Sequence, residues 1–174
     1  HDVSESRELN RKLSYHASHD ILTGLVNRRE FELRLERSLR SAKARETQSA
    51  LCHVDVDQFK IINDTCGHSA GDALLGQVGA LLKTKIRWRD TLARLGGDEF
   101  GVLLESCSLD EAMRMADQAR ETIRNYKFVW EDRTFRLGCS IGVVPITGDS
   151  EDVATLLSSA DSACAAAKEA GRNR

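Results

Sequence analysis

No stretch of the 174 residues approaches the roughly 18 consecutive apolar positions that a membrane-spanning helix needs. No secretory leader is visible either. Positive charge is not in excess: 25 Lys and Arg stand against 27 Asp and Glu, a formal net charge of −2. That leaves no basic field for nucleic acid and no polybasic patch for a membrane surface. Cysteine is sparse and unpatterned. Cys52, Cys66, Cys107, Cys139 and Cys164 are odd in number and widely spaced, with no Cys-x-x-Cys, which argues against both a disulfide framework and a zinc site. They read as small buried thiols of a reducing cytoplasm. No Gly-x-x-x-x-Gly-Lys occurs, so a P-loop nucleotide site is excluded. Internal repeats and low-complexity segments are also missing.

What remains is a 41% apolar chain, enough for one domain with a real core and a short appendage. It starts at His1, which reads as a piece of something longer, with any membrane span or sensor outside it. Residues 4–18 are polar with sparse apolar positions and predict a helix entering the domain. Leu9 and Leu13, at i and i+4, would give it one narrow seam for a partner helix. Asn27 is placed to cap a helix over 28–45, whose apolar positions Phe31, Leu33, Leu35 and Leu39 lie among arginines and glutamates. Residues 50–57 predict a strand, 59–64 a short helix, 66–72 a loop and 70–86 a helix ended by Arg87-Trp88-Arg89-Asp90. A helix follows over 109–126 with Ala112, Met115, Ala116, Ala119 and Ile123 inward. Residues 128–130 and 135–144 predict a second hairpin across Glu131-Asp132-Arg133, and 153–170 a last helix stopped by Gly171. Helices alternate with strands, yet two hairpins require antiparallel pairs, so the expected class is α+β rather than a doubly wound parallel sheet.

Chemistry concentrates at the first hairpin. Arg94-Leu95 and Phe100-Gly101-Val102-Leu103-Leu104 flank Gly96-Gly97-Asp98-Glu99. Two glycines take positive φ without a Cβ penalty, and their bare backbone lets a bulky anion approach. Asp98 and Glu99 beside that turn offer hard oxygen ligands for a divalent metal. Alternation along the 50–57 strand puts Asp55 and Asp57 on one face, where a carboxylate ending an apolar strand suits the same ion.

Five motifs occur in order: Asp20-Ile21-Leu22-Thr23-Gly24-Leu25-Val26-Asn27-Arg28-Arg29, Asp55-Val56-Asp57-Gln58-Phe59-Lys60-Ile61-Ile62-Asn63-Asp64, Gly67-His68-Ser69-Ala70-Gly71-Asp72, Gly96-Gly97-Asp98-Glu99-Phe100, and Ala167-Lys168-Glu169-Ala170-Gly171-Arg172-Asn173. Together they resemble the GGDEF family of diguanylate cyclases from Asp20 to Arg174. The resemblance implies a ferredoxin-like sheet covered by helices, akin to nucleotidyl cyclase and polymerase palm domains, over 20–174, with 1–19 as a linker or signalling helix. It implies condensation of two GTP into cyclic di-GMP and two pyrophosphates by two facing domains. Asp55, the Val56 carbonyl, Asp98 and Glu99 would hold Mg²⁺, with Mn²⁺ as the alternative, and Asp98 would activate the 3′-hydroxyl. Asn63 and Asp72 would read guanine. Lys60, Lys168 and Arg172, with the bare turn at Gly96 and Gly97, would hold phosphate; Lys60 counts among the catalytic residues with Asp98 and Glu99. Arg87 and Asp90 match an inhibitory product site.

One departure is Ala165, where relatives often carry an aromatic three residues before the lysine; it predicts a looser last helix. The resemblance further implies a homodimer formed through the cyclase domain or the N-terminal helix. It also implies a sensory domain upstream, a phosphodiesterase domain downstream in many relatives, and a cytoplasmic location, free or as the cytoplasmic part of a membrane-bound protein. The other reading is a silent GTP- or cyclic di-GMP-binding regulatory domain. Such members lose a hairpin acid or glycine, and all are present here.

Overall fold

The computed structural model describes residues 3–170. The elements run α1 (Val3–Ser18), β1 (Val26–Asn27), α2 (Arg28–Arg45), β2 (Ser49–Asp57), α3 (Phe59–Cys66), α4 (His68–Lys83), β3 (Thr91–Gly96), β4 (Glu99–Leu104), α5 (Leu109–Asn125), β5 (Lys127–Trp130), β6 (Arg133–Arg136), β7 (Gly138–Ile146) and α6 (Val153–Glu169). A five-stranded sheet has the order β1-β3-β4-β2-β7, antiparallel except for the short parallel pairing of β1 with β3. The unit β2-α4-β3-β4-α5-β7 is the split βαβ of a ferredoxin-like fold. The expected α+β class therefore holds.

The sheet is packed on both faces. Even-numbered residues of β2 (Ala50, Cys52, Val54, Val56) enter a core with Leu74, Leu75 and Val78 of α4 and Ala112, Ala119 and Ile123 of α5. Leu51 turns the other way, toward Phe31, Leu35 and Leu39 of α2 and Leu156 and Ala160 of α6. A central strand covered on both sides reads as an apolar run, so polar His53, Asp55 and Asp57 within it stand out. Among the described residues, Asn27, Ser108 and Asp152 cap α2, α5 and α6 by accepting from the backbone N–H of Glu30, Glu111 and Thr155.

Four expectations need correction. Residues 128–144 do not form one hairpin: β5 pairs with β6 as a separate ribbon, and β7 leaves it to become the edge partner of β2. The period-2 pattern is the same in both, and Leu137, buried between them, conceals the break. Residues 66–72 are not a loop, since Gly67 alone, at φ +93°, separates α3 from α4. α4 closes at Lys83 instead of 86. Leu33 is exposed, because helical spacing puts Phe31, Leu35 and Leu39 on the core side and carries Leu33 round the helix. Gly171, the expected stop of the last helix, lies outside the described residues.

Candidate functional site

Ladder register builds the site. β2 pairs β4 so that Asp55 faces Glu99 and His53 faces Gly101. One further bond, Val56 N–H donating to the Asp98 carbonyl at 3.1 Å, draws the hairpin tip over the end of β2. Gly96 and Gly97 occupy φ +151° and +46°, and a Cβ on either would meet nothing within 4 Å. Conformation, not crowding, demands glycine there, and the backbone lies open above the acids.

Asp98 and Asp55 lie close enough to share a hydrogen bond, and α6 brings Lys168 Nζ to 2.6 Å from Asp55 Oδ2. Burial first, then the charge of Asp55, pushes the Asp98 carboxyl up to about 6. For Lys168, burial works to lower the pKa, but the hydrogen bond and charge of Asp55 outweigh it and hold the ammonium above its ordinary value. Among the described residues, Asp55 Oδ1 is buried without a hydrogen-bond partner. Two carboxylates crowded until one titrates near neutrality, with a spare buried oxygen aimed at none of the described donors, form a donor set suited to a hard divalent cation. Oxygen ligands of this kind fit Mg²⁺.

The hairpin tip is tied to the N-terminal turn. Arg94 donates from Nε and Nη2 to the Gly97 carbonyl at 3.2 and 3.0 Å, and from Nη1 to Asp20 Oδ1 at 3.2 Å. Asp20 also accepts from Thr23 N–H and Oγ1. On the α1 side, Tyr15 Oη donates to the Gly24 carbonyl and Asn27 Nδ2 to the Ala17 carbonyl. The turn carrying Asp98 is thus connected through two charged side chains to the helix that enters the domain.

The remaining expected residues are spread around this centre. Lys60 is exposed on the first turn of α3, and Asp72 is exposed on α4. Asn63 Oδ1 is buried without a hydrogen-bond partner and faces Gly71, where an added Cβ would lie 2.1 Å from it. Arg172 lies outside the described residues. Arg87 and Asp90 do meet, at the opposite end of the sheet: Arg87 donates from N and Nε to Asp90 Oδ2 and from Nη2 to Oδ1 and to the Glu105 carbonyl. Asp90 Oδ1 also accepts from Glu105 N–H. Both oxygens of Asp90 are therefore engaged in holding the arginine, whose pKa is raised chiefly by that hydrogen bond. Beside them is a cavity of about 280 Å³ that reaches Lys85 and Arg114.

Sequence reasoning passed over His53 and Asp161. Among the described residues, the set of three metal-capable side chains that comes within 4.8 Å is His53, Glu99 and Asp161. The parity that pairs Asp55 with Asp57 also includes His53, and that was the available signal. Asp161 reaches it only by the docking of α6, for which the sequence gives no spacing rule.

The family model described as "Diguanylate cyclase, GGDEF domain" matches residues 17–174. The chain is 44% identical over 173 residues to the probable diguanylate cyclase DgcE of Escherichia coli K12, covering 99% of the chain and 16% of that protein. The solved GGDEF domain of TpbB from Pseudomonas aeruginosa superposes with a TM-score of 0.83 at 39% identity, over 89% of this chain and 91% of that one. The coiled coil and GGDEF domain of DgcB from Caulobacter crescentus, in complex with c-di-GMP, gives a TM-score of 0.92 at 26% identity, over 99% and 91% of the two chains. This chain spans less than half the length of the curated relatives it matches.

Proposed function

The chain belongs to the GGDEF-domain family of diguanylate cyclases, and from that premise we propose that it condenses two GTP into cyclic di-GMP and two pyrophosphates. The observation that carries the reading is the Asp55–Asp98–Lys168 cluster under the open turn of Gly96 and Gly97. Mg²⁺, with Mn²⁺ as the alternative, would be held by Asp55, the Val56 carbonyl, Asp98 and Glu99, and supplies neutralisation of triphosphate charge. Asp98, at the hairpin tip beside Asp55, would activate the 3′-hydroxyl. Lys168, Lys60 and Arg172 would draw the triphosphate toward the turn; Lys168 does so by leaving Asp55, which it neutralises in the ligand-free protein. A silent GTP- or cyclic di-GMP-binding domain is less well supported, since both glycines and both hairpin acids are kept.

Asn63 and Asp72 would read guanine. Guanine presents N1–H and N2–H₂ to acceptors, and the Asn63 oxygen is buried and unpaired; adenine would leave such acceptors unsatisfied, a penalty large enough to select GTP. Gly71→Ala tests this placement. Its Cβ must push the flexible Asn63 amide aside and lies 3.3 Å from the Phe59 ring, which must give slightly, while alanine within a helix is favoured by up to about 1 kcal/mol over glycine. The expected result is a KM for GTP raised roughly 10-fold, the cost of about one hydrogen bond, with thermal stability held or increased. A large stability loss would mean that Asn63 is structural.

One domain supplies one GTP, so turnover requires two. Leu9 and Leu13 are exposed at i and i+4 on α1, and we assign residues 1–19 as the linker segment whose helix α1 pairs two copies of the 20–174 domain. Specific activity then rises with protein concentration; activity per chain independent of dilution would exclude this. Sensory and phosphodiesterase domains flanking the chain, and a cytoplasmic location, belong to the same proposal. Among the described residues no helix is long and apolar enough to cross a membrane.

Product would return to Arg87, whose guanidinium is pre-aimed by Asp90 beside the 280 Å³ cavity. Arg87→Ala is expected to raise the inhibition constant for cyclic di-GMP by about 10–100-fold, the value of a hydrogen bond to a charged group, with initial rate unchanged. Inhibition at wild-type concentrations in this variant would remove Arg87 from the role.

A further inference from the structure

His53 is 4% exposed at the middle of β2, and its Nδ1 is buried with no hydrogen-bond partner. Its Nε2 points toward two carboxylate oxygens, Glu99 Oε2 at 3.7 Å and Asp161 Oδ1 at 3.8 Å. Both distances exceed hydrogen-bond reach. Three elements thus send one polar atom each toward a common point: β2 the imidazole, β4 Glu99 and α6 Asp161. The point opens onto a cavity of about 340 Å³ that also reaches Ser158 and Arg28, whose charge is paired with Glu32 at 3.1 Å. The Asp55–Asp98–Lys168 cluster does not line it. The imidazole is buried, and its Nε2 has only these two carboxylates in ion-pair range, beyond hydrogen-bond reach, so a cation placed between them would give that nitrogen and both carboxylates a common partner.

We propose that His53, Glu99 and Asp161 form a binding site for a transition-metal cation of the Zn²⁺ type, adjacent to the Asp55–Asp98 site, with Glu99 bridging the two through one carboxylate oxygen to each. One imidazole nitrogen and two carboxylate oxygens is a donor set such ions accept, whereas Mg²⁺ prefers oxygen alone. Two ligands about 2.1 Å from one tetrahedral ion lie about 3.4 Å apart. His53 is therefore spaced within a few tenths of an ångström of what is needed. Its three atoms fall within 4.8 Å of one another, and Asp161, exposed on α6, is free to close the rest by rotation. Solvent in the cavity supplies the fourth position. No cysteine takes part, which is why cysteine spacing gave no sign of it. An ion here ties α6 to the two central strands.

The test is Zn²⁺ itself, titrated calorimetrically into the metal-free protein with saturating Mg²⁺ present to fill the oxygen site. One tight equivalent is expected, with a matching rise in Tm, since a ligand bound only by the folded state stabilises it. Asp161→Asn, at an exposed position where folding is not at stake, should weaken that equivalent by at least the 10–100-fold that loss of an outer-shell partner costs and abolish the Tm rise. His53→Phe should remove the equivalent altogether; if that variant does not fold, Asp161→Asn decides. Unchanged Zn²⁺ affinity in Asp161→Asn, or a thiolate charge-transfer band when Co²⁺ replaces Zn²⁺, would overturn the proposal. GTP is absent throughout, so failure here leaves the cyclase reading untouched, and failure of that reading leaves this site standing.

Discussion

Asp98→Asn is expected to reduce cyclic di-GMP formation by roughly 10³-fold, the scale of several kcal/mol for a lost metal-ligand and proton-accepting group. The fold should survive, because Asp98 sits at a hairpin tip whose backbone bonds to Val56 and Arg94 do not involve its side chain. The metal-free variant should also be more stable than the parent above about pH 6. The Asp98 pKa in the folded protein, about 6, lies above the ordinary value of 3.8. Between those values the unfolded chain has lost the proton and the folded one still holds it, so folding stability falls as pH rises through the interval. Asparagine removes that loss. The difference between variant and parent should vanish near pH 4 and reach its plateau above 6, as read by thermal unfolding in the presence of a chelator. A variant less stable than the parent at pH 7 would show that Asp98 is not strained by Asp55.

Gly142→Ala carries the largest expected effect on stability. A Cβ at that position would lie 2.3 Å from the Ala160 carbonyl oxygen and 2.4 Å from Cys164 N, both backbone atoms of α6 that cannot rotate aside. α6 must lift from β7, at a cost of about 3 kcal/mol and a Tm loss of roughly 10 °C. Lys168 rides on the same helix, so its 2.6 Å contact with Asp55 is lost too, and activity should fall at temperatures where the variant is still folded. Gly76→Ala is the control. Its Cβ meets nothing within 4 Å on α4, so the same change should stabilise by up to about 1 kcal/mol. Equal effects at both positions would refute the packing argument.

These two positions show what the sequence could convey. The Asp98 turn was legible because its signal is contiguous: two glycines, two acids and flanking apolar runs state a hairpin tip carrying two carboxylates in one stretch. The Asn27 cap and the inward faces of α4 and α5 were legible for the same reason, since period and cap chemistry are local. Gly142 carried no signal, as its role is the approach of a helix docked from elsewhere in the chain. The same holds for Asp161 opposite His53 and for Arg94 bridging Gly97 and Asp20, which are contacts made by the docking of elements. The strand over 135–144 was misplaced because alternation identifies a strand without naming its partner; β6 and β7 share the pattern and differ only in which neighbour offers a free edge. The contact between Arg87 and Asp90 also lies beyond what spacing conveys. A sequence shows an acid and an arginine three apart, and the structure shows both acid oxygens already engaged, leaving the guanidinium as the group presented.

The most direct measurement is incubation of the purified protein with GTP and Mg²⁺, with the product identified by mass. Cyclic di-GMP and pyrophosphate from the parent, and none from Asp98→Asn, is the predicted result. Bound GTP with no cyclic di-GMP, persisting after two copies are joined through a coiled coil fused ahead of α1, would contradict the account.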